Sequence, residues 1–448
     1  MKKYFLLMWL LSPVLFAQQL KITPDEEIQR TKWMILQKLE GGEMFYLMAV
    51  DSIPSGGAVF PLKGLPYGEY AVQYDTDHLP GVRFIHAGED VEIKFQPRRP
   101  AKPEIIRSYS NKTYYDWITY NRRTIARLRQ LKKQYARQAS PQLQEKFTRL
   151  KQTYNRHYDS LLKANEGKLV WHFIKGKKEV FPDRLKESKQ AYIDYALAHY
   201  FDEIDLNDSI LYNSHVLYDR LEEYLFRIPY GVYGKKRSDA YIKRLKNIFG
   251  RMHYLPSRAS FIKTFIVLFS MEDATARKYM EKLYKELPAA FQSKDFIEQI
   301  EKNKMAVRGE RFDAEFLKKY TGKNFTFNDL NLIIFYSSDC PHCQRQLPEV
   351  YKYLEKKKPY KHLNVLAVGL EENPENWKVF TAPFTKWKNA YITGEKMMDV
   401  VMKFGIEFTP TFFVTDKDGV ILEKTTGGNE IYKILDYFLN HETGNKRK

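Results

Sequence analysis

At 448 residues and 44% hydrophobic composition, the chain is long enough for two to four domains and can build a sizeable core. Lys and Arg outnumber Asp and Glu by 73 to 55, a formal net charge of +18, but the basic residues are scattered rather than gathered in one arm. There is no zinc-finger spacing and no RNA-binding signature, so nucleic acid is excluded as a partner. Solvated basic helix faces account for the surplus first, and association with an anionic membrane surface second.

Residues 1–17 have the pattern of a secretory signal. Lys2 and Lys3 form a charged start. Tyr4 to Phe16 is apolar but shorter than the roughly 20 residues of a comfortable membrane span. Ala17 suits the cleavage position, so processing is expected before Gln18, with an uncleaved anchor as the alternative. No cysteine follows the apolar run, which excludes a lipoprotein, and no later run is long enough to span. The expected localisation is the periplasm or cell envelope.

Residues 18–98 are expected to form a small antiparallel β-sandwich. Short alternating runs recur at Lys32–Leu39, Met44–Asp51, Ala58–Leu62, Tyr70–Tyr74, Val82–His86 and Val91–Phe95. Turn signals such as Gly41-Gly42, Ser55-Gly56-Gly57, Leu79-Pro80-Gly81 and Gly88-Glu89-Asp90 separate them. His78 and His86 are isolated and are expected in strand or loop rather than as ligands. Pro97 to Pro103 is a proline- and charge-rich linker.

Residues 99–305 are expected to be mostly helical. Tyr114, Ile118, Ile125, Leu128, Leu131 and Tyr135 form one apolar stripe; Phe147, Leu150, Tyr154, Tyr158 and Leu161 continue a second. Ser140 and Pro141 between them are an N-cap and first helical residue, so a long helical hairpin is predicted. Further helices are predicted around 184–202, 209–227, 238–250, 258–269, 273–286 and 293–303. The acidic group Asp202, Glu203, Asp205 and Asp208 lacks EF-hand spacing and is expected at a solvated helix end.

Residues 306–443 alternate strand and helix, followed by a basic tail at 444–448. Strands are predicted at Asn331–Tyr336, Asn364–Leu370, Thr411–Thr415 and Val420–Lys424, and helices at Cys343–Lys358, Pro374–Phe380, Glu395–Phe404 and Glu430–Asn440. Between the first strand and first helix stand the only two cysteines, in Cys340-Pro341-His342-Cys343. Cys343, Leu347, Val350, Tyr351 and Leu354 share one helical stripe, so Cys343 faces inward and Cys340 lies at the helix start. A disulfide there closes too small a loop to stabilise the fold much. No second cysteine pair or His-x3-His completes a zinc site. A dithiol redox pair remains, its first sulfur favoured as thiolate by free N–H groups and the positive helix end. No metal and no cofactor beyond a redox-active Cys340–Cys343 disulfide is expected.

This arrangement resembles the thioredoxin fold, and its details resemble the TlpA/ResA-like branch. Pro348, five residues after Cys343, matches the proline inside the active-site helix of thioredoxins. Thr409-Pro410-Thr411 before a predicted hairpin matches the cis-proline loop; the resemblance implies that Thr409 and Pro410 bind an incoming peptide. Phe408 to Gly419, and Val368-Gly369-Leu370-Glu371 followed by Trp377-Lys378-Val379-Phe380, are similar to that branch, which carries an inserted strand and helix before the proline loop. Gly64 to Tyr70 resembles small β-modules that precede thioredoxin domains in exported Bacteroidetes proteins. Pro341-His342 matches the dipeptide of DsbA, which implies that a protonated His342 tunes the Cys340 thiolate and argues for oxidation or isomerisation. The TlpA/ResA resemblance argues for a reductant.

Two family positions differ. Ile334 stands where thioredoxins keep a buried Asp, and Gln346 where many TlpA/ResA-like proteins keep a Glu. Glu371 and Glu372 are the substitutes available as proton acceptor, while Asp339 is expected in a loop or helix cap. The function expected is an exported thiol–disulfide oxidoreductase acting on cysteine-containing envelope proteins, with a further protein as electron donor or acceptor. The alternatives are a non-catalytic envelope binding or scaffold protein, and a peroxiredoxin-like peroxidase. The latter wants Thr-x-x-Cys where this chain has Ser337-Ser338-Asp339.

Overall fold

The structure, a computed structural model, describes residues 18–24, 33–51, 53, 56–74, 81–96, 99–185, 188–227, 232–302 and 304–444. The expected signal at 1–17 lies outside them, as do 445–448 of the basic tail, Lys32, Ser55, His78, Leu79, Pro80, Pro97 and Arg98. The protein is multi-domain, with a strand-rich N-terminal region, a helical middle and a C-terminal α/β region. It divides into two compact units, Met1–Leu221 and Glu222–Lys448.

The first unit begins with eight strands: β1 (Gln19–Pro24), β2 (Trp33–Glu40), β3 (Glu43–Asp51), β4 (Ala58–Pro61), β5 (Gly68–Gln73), β6 (Val82–His86), β7 (Val91–Phe95) and β8 (Glu104–Arg107). They form two four-stranded sheets, ordered β4-β1-β7-β8 and β3-β2-β5-β6. Leu20, Ile22, Phe60 and Ile93 from one sheet share a core with Leu36, Tyr70, Val72 and Phe84 from the other, as the inner faces of a sandwich do. The sandwich is not wholly antiparallel, because β1 pairs parallel with β7, Leu20 opposite Val91. No hairpin links these strands, so no tight turn dictates their direction. His86 is buried beside the rings of Tyr67 and Tyr70.

Helices α1 (Tyr109–Arg137) and α2 (Pro141–Ala164) follow. Glu89 in the turn before β7 accepts from the backbone N–H groups of Tyr109 and Ser110, which places a carboxylate on the positive end of α1. The Ser140 hydroxyl accepts from the Leu143 N–H, and Pro141 opens α2, as the spacing predicts. Trp117 of α1 stacks on Tyr154 of α2, both buried. The unit continues through α3 (Leu169–Gly176), α4 (Lys189–Ala198), α5 (Ser209–Tyr212) and the start of α6 (Val216–Phe226). Each acidic residue of the 202–208 group is engaged: Asp202 by His199, Glu203 by Tyr158, Asp205 by the Asn207 N–H, and Asp208 by His172 and the first N–H groups of α5.

The second unit opens with α7 (Lys235–Arg251), α8 (Leu255–Ser270), α9 (Ala274–Lys285), α10 (Lys294–Lys302) and α11 (Ala314–Thr321). Then come β9 (Leu330–Tyr336), α12 (Pro341–Lys357), β10 (Leu363–Leu370), α13 (Pro374–Thr381), β11 (Lys388–Ile392), α14 (Lys396–Phe404), β12 (Thr411–Asp416), β13 (Ile421–Thr425) and α15 (Glu430–Gly444). The sheet order is β11-β10-β9-β12-β13, the first three strands parallel and the rest antiparallel. Strand β9 is central and buried on both faces. Leu330, Leu332, Ile334 and Tyr336 join one apolar cluster with α12 and α15; Ile333 and Phe335 join the other with α11 and α14. Strand β11 is the inserted strand that the resemblance implies. Its sequence, Lys388-Asn389-Ala390-Tyr391-Ile392, buries only Ala390 and Ile392 and carries no apolar run.

The helices before the sheet are tied to it by buried charge. Arg308 reaches Glu423 on β13 at 2.8 Å, Asp273 at 3.1 Å and Glu272 at 3.3 Å. Glu423 also accepts from the Gly234 N–H at 2.9 Å, and Asp273 accepts from Ser238 Oγ at 2.7 Å and caps α9 through the Ala276 N–H. Breaking such a pair strands a charge in the interior, at a cost of about 3–5 kcal/mol. Glu423→Ala is therefore expected to destabilise the second unit by about that amount, read as a lowered urea midpoint, whereas Lys235→Ala at an exposed pair should stay within about 1 kcal/mol of the parent.

Candidate active site

The site forms where β9 ends and α12 begins. Tyr336 is the last strand residue, and Ser337-Ser338-Asp339 turn the chain, with the Cys340 N–H returning to the Ser337 carbonyl at 3.2 Å. Cys340 is the N-cap of α12 and Pro341 its first residue, where a missing N–H costs nothing. One turn in, Cys343 is wholly buried in the cluster that contains Ile334, Leu347 and Phe412, while Cys340 is part-exposed. Both thiols are free. Pro348 lies within the helix, at the expected position.

Strand β12 brings the second part of the site. Thr411 lies opposite Phe335 near the end of β9, so the residues just before it reach the dithiol. The Thr409–Pro410 peptide bond is cis, and the Cys340 thiol donates to the Thr409 carbonyl at 3.3 Å. The loop is held at both ends. Thr411 Oγ1 donates to the Phe408 carbonyl at 2.6 Å. At the other end Lys424 donates to the carbonyls of Phe404 and Gly405 at 3.0 and 2.7 Å, satisfying the end of α14. Burial lowers the Lys424 ammonium to about 8.

The two sulfurs are in opposite electrostatic situations. Burial alone pushes the Cys340 thiol up, but the Thr409 hydroxyl, the backbone N–H and thiol of Cys343 and the His342 N–H outweigh it, and the thiol lies below its ordinary value. The bond from the thiol to the Thr409 carbonyl favours the protonated form, so the lowering comes from the donors aimed at the sulfur. Cys343 is raised to about 12, chiefly by burial, then by its contact with Cys340.

The His342 ring is turned toward Arg345, with Nδ1 3.1 Å from the Arg345 Nη2. A guanidinium only donates, so the ring nitrogen facing it is the acceptor of this contact. What His342 directs at Cys340 is its backbone N–H. Gln346 donates to the Gly428 carbonyl at 2.9 Å and ties α12 to the loop before α15. Asp339 is a loop residue that accepts from Asn376 Nδ2 at 3.0 Å; the cap itself is Cys340. Glu371, just after β10, is fully buried, and its two oxygens accept from the Ser338 N–H at 2.9 Å and the Ser338 hydroxyl at 2.6 Å. Nothing in the local sequence around Ser338 marked it as part of the site; its partner lies in another strand's loop. Among the described residues no group of three or more His, Cys, Asp or Glu side chains is placed to hold a metal.

Residues 326–440 match the family model described as a thioredoxin-like domain, and this part of the chain is a thioredoxin-like domain. Similar solved structures cover the same region. The thioredoxin domain of a thiol-disulfide oxidoreductase from Bacteroides vulgatus is 22% identical over 25% of this chain and 81% of its own, with a TM-score of 0.23. A domain of a possible thiol-disulfide isomerase from Cytophaga hutchinsonii is 27% identical over 28% of this chain and 82% of its own, at 0.23. A thiol:disulfide interchange protein from Bacteroides sp. is 20% identical over 27% and 79%, at 0.24. A comparison with curated proteins finds no match.

The unequal thiols make a direct prediction. Alkylation with iodoacetamide at pH 7 should place one adduct per folded chain, mapped to Cys340 by mass spectrometry, and the rate should level off at a lower pH than for a free cysteine near 8.5. A second adduct, at Cys343, should appear only after denaturation.

Proposed function

We propose that the protein is an exported thiol–disulfide oxidoreductase that exchanges disulfides with cysteine-containing envelope proteins through Cys340 and Cys343. The observation that carries this is the asymmetry of the pair. A part-exposed sulfur with a lowered thiol value sits one helical turn from a buried sulfur raised to about 12. The first is the nucleophile and the second is held back until a mixed disulfide exists. The Cys340 thiolate attacks a substrate disulfide; a Cys340–substrate bond forms and one substrate sulfur leaves as thiolate. Cys343 then loses its proton and attacks Cys340, and the second substrate sulfur leaves. The substrate is reduced and the pair oxidised, and a partner protein restores the dithiol. The reverse sequence oxidises a substrate dithiol.

Thr409 and Pro410 offer the backbone along which an extended substrate segment pairs while its disulfide meets Cys340. Phe408, 66% exposed beside Thr409, adds an apolar contact for residues flanking that disulfide. Export rests on the expected signal at 1–17. No helix among the described residues is long and apolar enough to cross a membrane.

Reduction of insulin by dithiothreitol, followed by turbidity, tests the activity. The wild type should accelerate precipitation and Cys340→Ser should not; equal rates would sink the proposal. Cys343→Ser should accumulate a mixed disulfide stable to gel electrophoresis without reductant. The potential of the pair sets direction, since about −120 mV marks a strong oxidant and about −270 mV a reductant. Because the His342 ring faces Arg345, His342→Ala should move the potential by less than about 30 mV, the equivalent of roughly 1.4 kcal/mol. A larger shift would return the imidazole to the role that the Pro-His dipeptide implies.

A further inference from the structure

The exchange cycle requires Cys343 to lose a proton inside the protein, and the positions at which related domains carry an acid for this hold Ile334 and Gln346. Ile334 is core, and Gln346 is engaged with Gly428. A third carboxyl lies behind the dithiol. Glu371 is fully buried, and its carboxylate accepts from the N–H and the hydroxyl of Ser338. It sits in a tight slot: a Cβ on Gly369 would come within 2.6 Å of both Glu371 Oε1 and Trp377 Cδ1, so the absence of a side chain at 369 makes room for it.

Tyr336 neighbours both groups: it pairs with Gly369 across β9 and β10, and its side chain shares the apolar cluster of Cys343. Its hydroxyl is buried and hydrogen-bonds neither Glu371 nor Cys343 in the resting dithiol. The charges of Glu371 and Cys343 both act on it, and the indole of Trp377 touches the same oxygen. On the other side of the Ser337-Ser338 turn, the Ser337 N–H meets the Cys343 sulfur. One short loop thus contacts the resolving thiol through Ser337 and the buried carboxyl through Ser338. The titratable groups facing Glu371 or its phenolic neighbour are Asp339 from the loop, Tyr336 from β9 and Cys343 from α12, none of them a cation. Burial first, and Asp339 after it, raise the Glu371 carboxyl above the ordinary carboxylate range despite the two Ser338 bonds. A group in that condition takes up a proton more readily than an exposed carboxylate does.

We propose that Glu371 is the proton acceptor of the resolving step, receiving the Cys343 proton by way of the Tyr336 hydroxyl while its bonds to Ser338 hold the turn that carries Cys340. The inference rests on the exchange cycle proposed above. The Cys343 thiol gives its proton to the Tyr336 oxygen as the phenol gives its own to the Glu371 carboxylate. The Cys343 thiolate then attacks Cys340, the Cys340–Cys343 bond forms, and the substrate sulfur leaves as thiolate. When a partner reduces the pair, the same proton returns to Cys343.

Stopped-flow reaction of the full, reduced chain with dithiobis(nitrobenzoate) separates the two steps. Attack by Cys340 releases one thionitrobenzoate, and resolution by Cys343 releases the second. Glu371→Gln should leave the first phase within about twofold and slow the second about a hundredfold at pH 6, the gap narrowing as pH rises. Tyr336→Phe should reproduce the slow second phase with the Ser338 bonds in place. An unchanged second phase in Glu371→Gln would overturn the inference. So would equal slowing of both phases in Glu371→Gln beside a normal Tyr336→Phe, which is the outcome of a purely structural role. If Glu371→Gln fails to fold, Tyr336→Phe decides: a normal second phase overturns the inference and a slow one supports it. A wild type with no second phase at any pH would instead defeat the exchange cycle itself, so the two failures are distinguishable.

A stability readout is independent of turnover. A buried carboxyl raised above its unfolded value favours the protonated fold, so the folded state loses stability as pH rises from the unfolded toward the folded value. Glu371→Gln removes that loss, and its melting temperature should gain on the wild type between pH 5 and pH 8.

Discussion

The site depends on where helix α12 starts relative to the end of β9. Because Cys340 is the N-cap, its sulfur lies at the rim among unused backbone donors; because Cys343 is one turn inside, its sulfur lies in the core with Leu347 and Phe412. Donors at the rim, the Thr409 hydroxyl first, thus lower one thiol, and burial in the core raises the other. A start one residue later would rotate the Cys343 side chain by about a quarter turn out of the apolar cluster.

Beyond the local turn from Ser337 to Pro341, what keeps this start in place comes from elsewhere in the chain. Strand β12 sets Thr409 across from Cys340, Lys424 on β13 holds the end of α14 from which the Thr409 loop leaves, and Glu371 after β10 holds the turn before Cys340. The Lys424 and Glu371 supports are hydrogen bonds to backbone groups of buried residues, which are costlier to leave unsatisfied than the bonds themselves are stabilising. The buried Arg308–Glu423 pair extends the same framework, since it fixes β13 to the helices that precede the domain.

Much of this was legible in the chain, for reasons that differ by element. Val82–His86 and Val91–Phe95 appear as strands at the predicted bounds because alternation and flanking turns agree. The Ser140-Pro141 helix start is local chemistry and stands as predicted. Strands Gln19–Pro24 and Glu104–Arg107 were not marked, since both are short and owe their state to pairing with β7, far away in the sequence or across a turn. The break between α5 and α6 inside a predicted single helix comes where the Ser214 hydroxyl donates to the Leu211 carbonyl. At the site, Cys340, Cys343, Thr409 and Pro410 were visible as motifs, whereas Ser338 and Arg345 were not, because each acquires its part only through a neighbour's position.

The sequence alone determined which atoms can do redox chemistry. Two cysteines at C-x-x-C spacing on an apolar helical stripe, entered from a β-run and followed by Pro348 and Thr409-Pro410, leave few other chemistries for those sulfurs. Tertiary structure decided what surrounds them: that the His342 ring turns to Arg345, that Gln346 is engaged at a loop, and that a carboxyl from behind β10 stands near the buried thiol through Ser338 and Tyr336. The physical reason is range. Helical phase, capping and the His342–Arg345 contact are set within a few residues, but solvation and field at a sulfur are also set by whatever the fold packs within several ångströms, and Glu371 and Gly428 come from loops 33 and 82 residues from Ser338 and Gln346.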